Sequence, residues 1–61
     1  MKHSVDQLAK ICQVTVGELA VKCDIDPDHL ERVASGRTKM TAQDLYLLSV
    51  GTGIPADDIQ S

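Results

Sequence analysis

Three groups of residues have the types and spacing that could do chemistry. The first is acidic. Asp24, Asp26 and Asp28 alternate along one stretch, and Asp57 and Asp58 are adjacent. A calcium loop needs a longer alternating array with a Gly and a distal Glu, and Asp24 and Asp26 are accounted for by turn and cap chemistry. The second group is Cys12, Cys23, His3 and His29. It contains no CxxC and its spacings match no zinc pattern. The cysteines read as two reduced thiols packed as small hydrophobes. No Ser-His-Asp or Cys-His arrangement suggests a nucleophile, and no Gly-rich loop cradles a phosphate; Gly51-Thr52-Gly53 reads as a helix stop. No catalytic residue, metal or cofactor is expected, and the chain does not read as an enzyme. The third group is Gly36-Arg37-Thr38-Lys39-Met40, a polar, basic loop with one apolar anchor. Its cations and hydroxyl can grip an anion; the plainer reading is a solvated loop.

The elements that must hold this loop lie just before it. Thr15 to Gly36 reads as two short helices joined by a tight turn. Thr15 is an N-cap with Glu18 three residues on, the spacing of a capping box. Cys23-Asp24-Ile25 makes the turn, with Asp24 at a position that needs positive φ, which Asp tolerates. Asp26 caps the next helix, Pro27 takes its first position and Gly36 stops it. Upstream, Ser4 with Gln7 starts a first helix whose Val5, Leu8, Ile11 and Cys12 share one face. Downstream, Thr41 with Asp44 starts a fourth helix with Leu45 and Leu48 inward, and Ser49 and Gly51 small enough for close helix approach. Pro55 opens a last helical turn through about Gln60, and Ile59 closes the core. The expected inward set is Val5, Leu8, Ile11, Val14, Leu19, Ala20, Cys23, Ile25, Leu30, Val33, Met40, Leu45, Leu48, Ile54 and Ile59.

The bulk properties fit this all-α reading. A chain of 61 residues with one Tyr, no Phe and no Trp must build its core from aliphatic side chains, which suits helices better than sheets. Packing alone is expected to supply roughly 3–5 kcal/mol at this size. The net charge of −3 is not the footprint of a typical nucleic-acid binder, although distribution matters more than the sum. No apolar run approaches a membrane span and no secretory signal opens the chain, so a cytoplasmic location without membrane contact is expected. A disulfide is not expected there.

Taken in register, Leu8, Thr15, Leu19-Ala20, Ile25, Leu30, Val33, Gly36, Leu45, Leu48, Gly53-Ile54 and Ile59 resemble the Cro/repressor-type (XRE-like) helix-turn-helix family. The likeness covers nearly the whole chain. It implies a single domain over 1–61, a compact five-helix fold of the lambda-repressor-like type, with the helix-turn-helix core at about 15–36. It further implies a small transcriptional regulator, of phage, plasmid or bacterial type, that binds double-stranded operator DNA as a homodimer with its third helix in the major groove. Carried over residue by residue, Pro27, Asp28, His29, Glu31 and Arg32 stand at base-reading positions, of which His29 and Arg32 are the candidates. Arg37, Thr38 and Lys39, with Thr15 and the start of the second helix, stand where phosphates are held. The alternatives are an i,i+4 ion pair of Arg32 with Asp28 and an ordinary solvent-facing imidazole for His29.

Three departures from the family pattern matter. Val16 replaces a Gln that grips phosphate in the family. Asp26, Asp28 and Glu31 put acid on the helix that would face a polyanion, where affinity rests on neutralising phosphates. Ala9 and Ala34 replace an Arg and a Glu that often pair, so no orphan charge is left. These features support an alternative, a protein-interaction module on the same fold, such as an antirepressor or adaptor. Both readings accommodate an interface on the fourth helix, where Tyr46, Leu47 and Val50 leave it apolar most of the way round, with Tyr46 the natural anchor.

Overall fold

The computed structural model describes residues 2–60. Four α-helices follow in order: α1 Val5–Cys12, α2 Val16–Lys22, α3 Pro27–Ala34 and α4 Ala42–Thr52. A single 3-10 turn, Ala56–Asp58, comes last. The described residues form no strand, and their one extended pairing is an isolated parallel bridge between His3 and Ile59. The all-helical class therefore holds, while the fifth helix expected from Pro55 to about Gln60 is reduced to one turn. The reason lies in the bridge. The His3 N–H donates to the Asp58 carbonyl at 2.7 Å and the Gln60 N–H donates to the His3 carbonyl at 2.8 Å. To make that pairing, Ile59 turns extended (φ −107°, ψ 127°), and the helix cannot continue.

Local chemistry sets where three helices begin. Ser4 with Gln7, Thr15 with Glu18 and Thr41 with Asp44 each form a complete capping box. In each, the hydroxyl accepts the N–H three residues on, and that residue's side chain accepts the cap residue's own N–H. The third helix starts differently. Asp26 occupies the cap position but its carboxylate makes no capping bond, against expectation. Pro27, at the first helical position, removes one orphan donor and presets φ.

The ends are equally specific. Gln13, Asp24, Gly36 and Gly53 all have positive φ, at 60°, 61°, 83° and 77°. Asp24 and Gly36 are where the sequence places such residues. Gln13, by contrast, gives no signal, because an amide side chain does not advertise a left-handed backbone. After α1, α2 and α3 the chain folds back identically: the Val14, Ile25 and Arg37 N–H groups donate to the Ala9, Ala20 and Arg32 carbonyls at 3.0, 2.8 and 2.9 Å. This is the closure that satisfies orphan carbonyls through a left-handed residue.

The core draws one large aliphatic residue from each helix and one from the extended residue after the 3-10 turn. Leu8, Leu19, Leu30, Leu48 and Ile59 are fully buried, with Val5, Ala9, Ala20, Cys23 and Ile25 around them. Val14, Val33, Met40, Leu45 and Ile54 are half-buried against this cluster. Ile11 departs from expectation: it is 52% exposed. The buried face of α1 is Val5, Leu8, Ala9 and half-buried Cys12, and Ile11 sits to one side of it. Ala9 and Ala34 both pack on the core, so the missing charged pair is replaced by small apolar contacts. Where α4 crosses the end of α2, a Cβ built on Gly51 would stand 2.5 Å from Cys23 Sγ and 3.0 Å from its Cα. Only glycine permits that approach.

Candidate nucleic-acid interface

The basic loop and α3 form one locked unit. The Arg32 carbonyl accepts three donors: the Ser35 hydroxyl at 3.1 Å, the Arg37 N–H at 2.9 Å and the Thr38 N–H at 3.3 Å. The Gly36 N–H donates to the Val33 carbonyl at 3.1 Å. These bonds fold the loop onto the helix end, with Met40 packed against the core beneath it. Arg32, Arg37 and Lys39 are exposed, and Thr38 is half-buried. The geometry brings three cations to the C-terminal end of α3. A cavity of about 590 Å³ between this loop and the start of α1 has Thr38, Lys39 and Met40 on one side and Ser4 and Val5 on the other.

The turn before α3 and the first part of the helix, through Glu31, have the opposite character. Asp24, Asp26, Asp28 and Glu31 are all exposed. A Glu31 carboxylate oxygen lies 3.8 Å from where a Cβ on Gly17 would be, so this acid reaches over the first turn of α2. Thr15 stands at the same place, its hydroxyl accepting the Glu18 N–H at 3.1 Å. Val16 is half-buried and packs on the core, which accounts for an apolar residue there. The i,i+4 pair of Asp28 with Arg32 does not form, since the described residues hold one ion pair and it lies elsewhere.

That pair corrects the reading of His29. Rather than facing solvent freely, its ring is half-buried, and Nε2 lies 2.8 Å from Asp44 Oδ2. Asp44 is the one polar or charged residue buried among those described. It belongs to the first turn of α4, where Oδ2 also accepts the Thr41 N–H at 3.0 Å. Burial pushes its carboxyl upward, but the Thr41 N–H, the His29 ring and the Thr41 hydroxyl outweigh burial and hold it below the usual carboxylate range. Sequence reasoning places Asp44 in the capping box and misses His29 as its partner. The only available signal is negative: a helix cap on an otherwise apolar helix with a single carboxylate.

On the other face of α4, Tyr46 and Val50 are each 65% exposed. Leu47 is half-buried and packs on the core, so the expected apolar triad reduces to two exposed side chains. Cys12 and Cys23 are free thiols. Burial, reinforced by Cys12 and opposed by Lys22, pushes the Cys23 thiol up, which keeps it protonated and inert. No three His, Cys, Asp or Glu side chains among the described residues gather as metal ligands, and no described helix is long and apolar enough to cross a membrane.

Compared with known proteins, the chain matches no family model, no curated protein and no solved structure.

Proposed function

We propose that the chain is a small DNA-binding regulator of the Cro/repressor type, in which α2 and α3 act as the helix-turn-helix. It binds operator DNA as a homodimer, with α3 in the major groove, and acts by occupying its site. The observation that carries this reading is the locked end of α3. Three backbone and side-chain donors converge on the Arg32 carbonyl, and Arg32, Arg37 and Lys39, all exposed, lie in or just after that end. Cations on a hydrogen-bonded loop at the end of a helix suit a phosphate backbone, whose contacts position the protein while base edges give specificity. Arg32 is suited to guanine, the commonest specific contact of an arginine. Tyr46 and Val50 on α4 are the proposed contact between copies.

One observation favours a second reading. Four exposed carboxylates line the turn and the first part of α3, and a polyanion would meet them. On that reading the same face binds a protein rather than DNA. Fluorescence anisotropy of labelled random duplex DNA, titrated at low and at moderate salt, separates the two. Binding that weakens steeply with salt is expected. No binding at low salt would sink the DNA reading and leave the protein partner.

A further inference from the structure

We infer that His29 is a one-edge reader: it offers a partner only Nδ1, as an acceptor when the ring is neutral and as a donor when it is protonated. The inference rests on the DNA reading for its partner, but its chemistry rests on the His29–Asp44 geometry.

Asp44 as a carboxylate only accepts hydrogen bonds. At 2.8 Å from Oδ2, Nε2 must therefore bring the proton. The carboxyl stays ionised through the range where a histidine titrates, because it is held below the usual carboxylate range. The tautomer follows: with Nε2 protonated, the neutral ring carries a bare Nδ1. That atom is not sealed from solvent. Among the described residues no polar side-chain atom is both buried and without a partner, and the ring makes no other side-chain bond there than the one to Asp44. Protonation leaves the Asp44 bond in place and converts Nδ1 from acceptor to donor.

The surrounding charges can be named. On α4 the titratable groups are Asp44 and Tyr46. Asp26, the cap residue before α3, precedes His29 by three residues, and on α3 Arg32 follows it by three, with Asp28 and Glu31 exposed; α2, packed against α3, carries Glu18 and Lys22, both exposed. The turn before contributes Asp24 and the loop after contributes Arg37 and Lys39, all exposed. Of all these, the one in hydrogen-bond contact with the ring is Asp44.

The consequence for a major groove is chemical. An acceptor at Nδ1 suits the amino groups of adenine and cytosine, and a donor suits N7 of either purine, guanine O6, thymine O4 or a phosphate oxygen; cytosine alone offers a donor and no acceptor. Preference at one base position therefore differs between the neutral and the protonated ring.

The test is selection from a random duplex pool at pH 8 and pH 5.5, with the native chain and with His29→Gln. Glutamine keeps an N–H for Asp44 but does not titrate. The native chain is expected to enrich cytosine at one position at pH 8 and to lose about tenfold of that preference at pH 5.5, as for one hydrogen bond worth ~1.4 kcal/mol. The variant is expected to select alike at both pH values. Unchanged selection by the native chain, or a pH shift that persists in His29→Gln, overturns the inference. Nitrogen-15 NMR of the native imidazole at pH 8 supplies the arm that needs no DNA. The expected result is a slowly exchanging proton on Nε2 and a bare Nδ1; a proton on Nδ1 overturns the one-edge assignment. If the pool yields no bound DNA at either pH, the DNA reading falls, and the NMR result alone decides the assignment.

Discussion

Asp44 caps α4 through the Thr41 N–H and ties that helix to α3 through His29, with the same oxygen. Removing it frees two donors in a nearly buried place, so Asp44→Ala is expected to cost about 1–3 kcal/mol at pH 7 by urea unfolding, a large share of what so short a chain has. The pH dependence has a definite sign. Its folded carboxyl titrates below the unfolded value, so its contribution is complete above about pH 4, the unfolded value, and is lost as pH falls through the folded value. The stability difference between the native chain and Asp44→Ala should shrink in that acid window. A difference that stays constant from pH 7 to pH 2 would show that the charge is not what matters. Gly51 is the other residue with a sharp expectation. Alanine is the better helix former by about 1 kcal/mol, yet its Cβ would meet Cys23 at 2.5 Å. Gly51→Ala is expected to destabilise by about 1–3 kcal/mol. Adding Cys23→Ala should restore only part, because the backbone of residue 23 is also in the way. A stabilised Gly51→Ala would show that the α2–α4 crossing gives easily.

Element by element, what the sequence reveals depends on how local the cause is. Helix starts were legible, because a capping box is written within four residues: Ser4/Gln7, Thr15/Glu18 and Thr41/Asp44 all form. The left-handed turn at Asp24 was legible for the same reason. Features with non-local causes were not. Asp26 looks like a cap in sequence, but its carboxylate makes no capping bond, and Pro27 removes one of the orphan donors. Ile11 shares a helical period with the core, yet the α1 face that packs is centred on Leu8 and Ala9. The last helix was lost to pairing with His3, a residue from the opposite end of the chain. His29–Asp44 joins residues on two helices, and no local pattern announces it. The same view gives a prediction at the end of α1, where Gln13 holds φ 60° at a steric cost that glycine avoids. Gln13→Gly should raise stability by about 0.5–1 kcal/mol, measured by thermal or urea unfolding. A loss would mean that the glutamine side chain contributes more than its backbone costs.

At the scale of the whole molecule, a net charge of −3 is distributed unevenly along the proposed DNA-facing surface, acid at the start of α3 and base at its end. The DNA reading therefore depends on very few cations. Arg37→Ala with Lys39→Ala should weaken duplex binding and lower the slope of log affinity against log salt by about two; an unchanged slope would remove these residues from the contact. The dimer reading depends on two exposed side chains, and Tyr46→Asp should give a monomer in the ultracentrifuge, whereas a native chain already monomeric at high concentration would end that idea. The single bridge between His3 and Ile59 bears on time rather than on shape. The helices, their caps and the α2–α3 turn close through neighbours in sequence and can form within microseconds. The bridge closes almost the whole chain into one loop, and that entropy is recovered only once the segments between are in place. The segments around His3 and Ile59 therefore join last and part first, so substitutions at Ile59 should speed unfolding more than they slow folding.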